Sequence, residues 1–226
     1  MGLRITELPE KTEVNLIGSN FNDTVLYLVR ILQKLGKRVL IRDITGNHCM
    51  YNAISEIAGA NPGRQIIDYS GVGYTFSLSE TDDYDLTIRL YDADMYPFIS
   101  GTTIIVTDES KKSADELYQQ KWEMLTRDGR KIALVVKNYT GACEGQFKGI
   151  IRKAGIKNVY PIPLNLKDAR IGVLAEYRDN YSFKGLSNSY KDALSGVVGL
   201  ILTEKSRLDI DNAIKDAGKG RTGRCW

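Results

Sequence analysis

One segment near the start of the chain constrains the fold more than any other, because it contains a complete strand–helix–strand pattern. Residues 13–18 are an apolar run that ends at glycine, which is typical of a buried strand. Residues 22–36 have the apolar spacing of an amphipathic helix, and residues 37–42 follow at once as a second strand. The helical stripe consists of Val25, Leu28, Val29, Leu32 and Leu35. A crossover helix of this length joins parallel strands.

The same alternation continues along the chain and predicts the fold class. Further strands are predicted at 64–69, 85–90, 102–107, 131–136 and 158–163. Further helices are predicted at 49–58, 110–125, 147–154, 188–202 and 206–217, and a turn at 71–73. This order predicts a doubly wound α/β fold with a mostly parallel sheet flanked by helices. We expect one domain over residues 1–205, followed by a short helix and a basic tail over residues 206–226.

Composition excludes several classes of protein. The 226 residues are 42% hydrophobic and 26% charged, which is enough to bury a core and excludes a disordered chain. No apolar stretch reaches 18 residues, and the first residues lack the apolar region of a secretory signal. Three scattered cysteines and one histidine predict neither a disulfide framework nor a histidine-rich metal site. We therefore expect a cytoplasmic protein.

The end of the chain carries more positive charge than the rest. The net charge is only +3, but residues 215–226 contain four cations and one anion. Two interpretations are open: a disordered solubilising end, or a weak contact with the phosphates of nucleic acid or of anionic lipid. The apolar set at 208–214 is too short to predict autonomous membrane binding.

Five short sequence segments, in the same order along the chain, resemble motifs of the ParA/MinD family of deviant Walker ATPases, including the branch of that family in pilus and secretion machinery. They lie at 36–43, 83–85, 103–109, 134–141 and 159–163, and the resemblance covers roughly residues 13–202. It implies a P-loop-NTPase-like fold in which a glycine-rich loop after the first strand binds ATP. Members of this family dimerise face to face over bound nucleotide.

The phosphate loop itself departs from the form GxxxxGK[ST]. When Gly18 is aligned with the first glycine, Asp23 falls on the second glycine and Thr24 on the lysine. Counting back from the end of the helix instead places Phe21 at the lysine, and residues 12–33 contain no lysine at all. A carboxylate at Asp23 would also repel a triphosphate.

At other positions, too, this sequence lacks the residue that the family uses. The Walker B aspartate falls on Leu90, with Asp92 two residues late, and the base-reading asparagine falls on Lys137. Asp43 matches the family's first aspartate after the second strand, but its partner aspartate is Thr45 here. Phosphoryl transfer depends on positioning and on cationic stabilisation, so we predict no ATP hydrolysis. No cofactor is expected, and binding of ATP with magnesium is not favoured.

The resemblance still marks a vestigial phosphate-loop region that a helix N-terminus would make attractive to an anion. Its candidate residues are Gly18, Ser19, Asn20, Asn22, Thr24 and Asp43. No catalytic and no metal-binding residue is predicted. The plainer alternative is that Asn22 or Asp23 caps the first helix and that Asp43 tethers a turn. His48, beside Cys49, fits a turn better than a catalyst.

Three functions remain open from the sequence. The first is a non-catalytic ParA/MinD-like scaffold or localisation factor, acting as a nucleotide-independent dimer or with an intact ATPase, and peripheral to the membrane through a partner. The second is a nucleotide-dependent switch whose missing cation is supplied by Arg42, Arg89 or Lys137. The third is a nucleic-acid-binding factor that uses residues 215–226.

Overall fold

Eight strands form one sheet in the computed structural model of the chain. The structure describes residues 11–18, 20–50, 66–77, 83–94, 101–119, 131–142, 144–178 and 183–219. The strands are β1 (Thr12–Gly18), β2 (Val39–Asp43), β3 (Ile67–Tyr69), β4 (Val72–Thr75), β5 (Leu86–Tyr91), β6 (Thr102–Asp108), β7 (Ile132–Tyr139) and β8 (Asn158–Pro163). Their order is β3-β4-β2-β5-β1-β6-β7-β8. All neighbours are parallel except β3 and β4, which pair antiparallel.

Six longer helices are described between or after these strands. They are α1 (Asn22–Lys34), α2 (Lys111–Gln119), α3 (Glu144–Ala154), α4 (Leu166–Arg178), α5 (Asn188–Ile201) and α6 (Arg207–Lys219). The helix predicted over 49–58 is helical at residues 49 and 50, and the rest of it lies outside the described residues. The predicted α/β class, with a mostly parallel sheet and flanking helices, is confirmed.

The main hydrophobic core lies on one face of the sheet. Because successive strand residues point to opposite faces, Val14 and Leu16 of β1 and Ile88 of β5 share this face. They form one buried cluster with the inner stripes of α1, α5 and α6. Burying a leucine or isoleucine side chain completely contributes about 1.5 to 3 kcal/mol, so this cluster is what holds α1 against the strands.

The other face of the sheet carries a row of buried polar side chains. Arg42, Arg89, Asn15 and Thr103 lie in register across β2, β5, β1 and β6, and all four are buried. Arg89 pairs with Glu13, which lies two residues before Asn15 on β1. Strands in the interior of a parallel sheet are usually apolar on both faces, so this row is a departure from the common pattern.

Two described elements were not predicted from the sequence. The first is β4, which lies where the sequence predicts a turn at 71–73. The turn is right for Gly71, which has φ +75° between β3 and β4, but Gly73 lies within β4. Helix α4 was not predicted, although Leu166, Val173 and Leu174 have helical spacing; in the structure these three face solvent while Asp168 and Gly172 face inward.

The helix predicted over 206–217 is α6, and it packs into the main core. Its inner side chains are Ile210, Ala213, Ile214 and Ala217. The basic tail predicted over 215–226 therefore overlaps α6 up to Lys219, and residues 220–226 lie outside the described residues.

Candidate functional site

The connection between β1 and α1 is short. β1 ends at Gly18 and α1 begins at Asn22, which leaves three residues between them; the first, Ser19, lies outside the described residues. A loop of the form GxxxxGK[ST] has four residues between its glycines and directs several backbone N–H groups at a phosphate. The connection here has three residues between the end of β1 and the start of α1, against the four between those glycines.

Gly18 is required by close packing within the sheet. Its φ is +148°, and a Cβ atom at this position would lie 2.1 Å from the carbonyl oxygen of Val106 on β6. Side chains other than glycine rarely adopt this backbone conformation. The approach of β6 therefore explains this glycine without a ligand.

The predicted helix cap at Asn22 or Asp23 is wrong. The N-cap position belongs to Phe21, whose side chain is buried and makes no capping hydrogen bond. Asn22 and Asp23 are the first residues inside α1, and Asn20 precedes them with a left-handed φ of +56°. Asp23 is consequently turned toward neighbouring elements, where its carboxylate finds other partners.

Lys137 reaches this loop from β7. Its Nζ atom lies 2.7 Å from Oδ1 of Asp23 and 3.0 Å from the carbonyl oxygen of Asn20, to which it donates. The side chains of Lys137 and Asp23 are 15% and 16% exposed, so the pair is largely removed from water. The sequence contains no lysine near the loop, but the fold brings one there.

Both oxygens of Asp23 have further donors. The backbone N–H of Thr24 donates to Oδ1 at 2.7 Å, and the hydroxyl of Tyr190 on α5 donates to Oδ2 at 3.0 Å. The Tyr190 hydroxyl also lies 3.4 Å from the Thr24 hydroxyl. Burial, followed by the charge of Asp23, raises the pKa of Tyr190 well above its usual value, so the phenol stays protonated and donating.

Asp43 lies at the end of β2, two strands from β1 in the sheet and therefore roughly 10 Å away. It is buried, and its Oδ1 accepts from the backbone N–H and the hydroxyl of Thr45 at 3.2 and 2.5 Å. Its Oδ2 accepts from the backbone N–H of Met50 at 2.8 Å. The carboxylate thus tethers the turn after β2, as the plainer interpretation of the sequence proposed.

The resemblance noted in the sequence would place the Walker B aspartate at Leu90, which lies within β5. Leu90 is buried in the main core, and Asp92 instead accepts a hydrogen bond from the backbone N–H of Gly46 at 2.7 Å. His48 has φ +48° in the same turn as Gly46, and its ring stacks on Phe76 with centroids 4.0 Å apart. Within the described ranges, no three His, Cys, Asp or Glu side chains form a group suited to a metal ion.

Arg42 and Arg89, the other two cations that the sequence offers for the loop, make contacts outside it. Arg42 donates to the carbonyl oxygen of Ser77 at 2.8 Å, and Arg89 pairs with Glu13. Of the predicted site residues, Gly18, Asn20, Asn22 and Thr24 lie together at the start of α1. Lys137, one of the three cations that the sequence offers, joins them, whereas Tyr190 was missed because the sequence carries no local signal for it.

Comparison with solved structures supports the fold, whereas comparison by sequence finds no match. No family model and no curated protein matches the sequence. A chain of the MinC:MinD cell division protein complex of Aquifex aeolicus superposes with a TM-score of 0.57 at 14% identity, over 83% of this chain and 96% of that chain. A putative plasmid partition protein of Borrelia burgdorferi B31, bound to AMPPNP, gives 0.56 at 11% identity, over 87% and 100%.

A ParA family ATPase of Chlorobium tepidum gives a TM-score of 0.51 at 12% identity, over 93% of this chain and 98% of that chain. These matches cover nearly the full length of each solved chain. The protein therefore has the fold of the MinD/ParA ATPases, as the order of its sequence phrases predicted.

Proposed function

We propose that this chain is a non-catalytic ParA/MinD-like protein that acts as a scaffold or localisation factor in a bacterial machine such as pilus or secretion assembly. The observation that carries the proposal is the ion pair between Asp23 and Lys137 at the start of α1. In ATPases of this fold the corresponding place holds the phosphates of the nucleotide. Here it holds an internal carboxylate and its counter-ion.

The ion pair works against a nucleotide in two ways. The ammonium of Lys137 is already neutralised by Asp23, so it adds little attraction for a triphosphate. A phosphate that drew Lys137 away would leave the Asp23 carboxylate unpaired, and at 4 Å the two would then repel by about 4 kcal/mol per unit charge when the effective dielectric constant is near 20. The hydrogen bonds from Thr24 and Tyr190 hold the carboxylate in place, which favours the pair over a rearranged loop.

The positions that would bind magnesium also argue against a nucleotide site. Leu90 is part of the core, and Asp43 is occupied with the turn that contains Thr45. Since phosphoryl transfer relies on positioned cations, a loop without them supports binding to proteins rather than catalysis. Partners in this proposal are a second copy that pairs without nucleotide, or an intact ATPase of the same fold.

A second candidate function is a nucleotide-dependent switch in which Lys137 takes the role of the missing lysine. It is favoured by one contact, the hydrogen bond from Lys137 to the carbonyl oxygen of Asn20 in the loop. This switch would require the Asp23–Lys137 pair to open when nucleotide arrives.

Calorimetric titration of the full chain with ATP and with ADP, in the presence of magnesium, separates the two functions. The scaffold proposal expects no heat and no thermal stabilisation at millimolar nucleotide. The switch expects binding that is lost in Lys137→Met and kept in Lys148→Met, a control on the exposed face of α3. Binding of this kind would overturn the scaffold proposal, and a hydrolysis assay would follow.

A further inference from the structure

Helix α4 presents apolar side chains to solvent instead of to the core. Leu166 is 81% exposed, Val173 is 53% exposed, and Leu164 directly before the helix is 54% exposed. Residues seven positions apart lie within about 20° of each other around a helix, so Leu166 and Val173 form one outward stripe. Leu174 flanks this stripe and is also exposed.

The orientation of α4 about its axis is fixed by polar contacts on its inner side. Asp168 is buried and accepts hydrogen bonds from the backbone N–H and the hydroxyl of Ser187 at 2.8 and 2.5 Å. Gly172 faces the start of α1, where a Cβ atom would lie 3.5 Å from Oδ2 of Asp23. Asn165 caps the helix by accepting from the backbone N–H of Lys167 at 2.9 Å. Turning the leucines inward would break these contacts, so their exposure is built into the fold.

The described charged side chains on the exposed face of α4 are positive. Among the described side chains of α4, the exposed charged residues are Lys167 and Arg170, both cations. The carboxylate of Asp168 points inward to Ser187 and does not compensate them. The surface thus combines a convex apolar stripe with cations beside it, and that combination is typical of helices that lie in the headgroup region of an anionic bilayer.

We propose that α4 docks, with Leu166 and Val173 toward the lipid, onto a membrane surface that contains anionic phospholipid. This inference rests on the proposed localisation role and names the surface at which the protein is held. A protruding stripe with flanking cations fits a bilayer interface better than it fits a second copy, because two such surfaces would bring Lys167 and Arg170 against their own counterparts. Within the described residues no helix has the length and apolar composition to cross a membrane, so the contact is peripheral.

The contact is expected to need both of its components. A few apolar side chains give only weak, reversible binding by themselves, and attraction between cations and anionic headgroups adds to it. Binding should therefore appear with phosphatidylglycerol in the vesicle and fall when the salt concentration rises.

Co-sedimentation of the full chain with vesicles tests the proposal. Vesicles of phosphatidylcholine with phosphatidylglycerol are compared with vesicles of phosphatidylcholine alone. We expect the wild type to bind the mixed vesicles. The Leu166→Glu/Val173→Glu variant should bind them with an affinity at least about tenfold lower, because each apolar side chain kept out of the interface lowers partitioning into the bilayer. The matched control is Leu208→Glu on α6, which is 67% exposed but stands alone; it should bind as the wild type does.

A second variant protects the test against misfolding. Lys167→Gln/Arg170→Gln changes only exposed side chains, so it should keep the thermal unfolding midpoint and lose the dependence on phosphatidylglycerol. Truncation after Lys219 removes residues 220–226 of the basic tail, with two of its four cations, and should leave binding unchanged. The proposal is overturned if the wild type binds neither vesicle, if only the truncation abolishes binding, or if the α4 substitutions instead abolish self-association measured by sedimentation velocity. None of these outcomes bears on the nucleotide titration, so failure here is distinct from failure of the scaffold assignment.

Discussion

The Nζ atom of Lys137 lies 2.7 Å from the Oδ1 atom of Asp23, and this contact joins the end of β7 to the first turn of α1. The two residues are 114 positions apart in the chain. The contact therefore joins distant parts of the chain at the loop between β1 and α1. Its strength decides how firmly the loop is set in the absence of any ligand.

We expect the Asp23–Lys137 pair to contribute measurably to stability. Asp23→Asn and Lys137→Met should each lower the free energy of unfolding by about 1 to 2 kcal/mol, and their coupling energy should be about 1 kcal/mol or more, because the pair is largely shielded from water. The measurement is a double-mutant cycle by urea denaturation. The control is the exposed pair of Glu144 and Lys148 on α3, whose coupling should stay near 0.3 to 0.5 kcal/mol.

Equal coupling energies for the two pairs would contradict this view of the site. The Asp23–Lys137 contact would then be a surface ion pair in energetic terms, and it would offer little resistance to an incoming phosphate.

Much of the fold was predictable because its signals are local. The strand–helix–strand segment at 13–42 places apolar residues at periods of two and of 3.6, and the structure has β1, α1 and β2 there. Strand β4 was missed because two of the residues in and beside it, Gly71 and Gly73, are typical of turns. Gly73 is needed where the side chain of Tyr84 crosses the strand, because a Cβ atom there would lie 2.3 Å from the tyrosine hydroxyl oxygen. No local pattern reveals that crossing.

The candidate site was predictable only in part. The mismatch between residues 18–24 and the form GxxxxGK[ST] is a local fact and was visible in the sequence. The contacts of Asp23 with Lys137 and Tyr190 depend on how β7 and α5 return to α1, and a single sequence does not encode that distance as a pattern. For this reason Asp23 was expected to be a helix cap and is instead the centre of a long-range network.

Gly18 should be essential to folding whether or not a ligand binds. Gly18→Ala places a Cβ atom 2.1 Å from the backbone of Val106 at a φ of +148°, so we expect a loss of about 3 kcal/mol or more, or failure to fold. The measurement is thermal and urea unfolding without ligand. The control is Gly149→Ala in α3, where nothing lies within 4 Å, and which should gain about 0.5 to 1 kcal/mol.

A stable Gly18→Ala protein would contradict the packing argument. It would return this glycine to the role that the resemblance to a phosphate loop suggests, namely close approach of the backbone to an anion.

The polar row on the second face of the sheet should be sensitive to the loss of its acid. Glu13→Gln removes the carboxylate that pairs with the buried guanidinium of Arg89. We expect the free energy of unfolding to fall by about 2 to 3 kcal/mol, since an uncompensated buried charge is costly. Glu204→Gln is the control, because the side chain of Glu204 in its pair with Lys37 is 57% exposed, and it should change stability by less than about 1 kcal/mol.

The thiol of Cys49 should react slowly for a free cysteine. Burial, followed by the nearby charge of Asp43, raises the pKa of Cys49 to about 11. Because only the thiolate attacks iodoacetamide, the reactive fraction near pH 8 is roughly a hundredfold below that of an ordinary cysteine. The rate should be measured against pH in a Cys143→Ser/Cys225→Ser background, where Cys49 is the remaining thiol.

The expected profile rises about tenfold for each pH unit through pH 10 and shows no plateau there, because the rate follows the thiolate fraction below the pKa. In urea the same thiol should lose its shielding and react with an ordinary pKa, which serves as the control for the reagent. A plateau near pH 8 in the native protein would mean that the thiolate is stabilised at Cys49. It would also revive a pairing with His48, whose ring in the structure is stacked on Phe76.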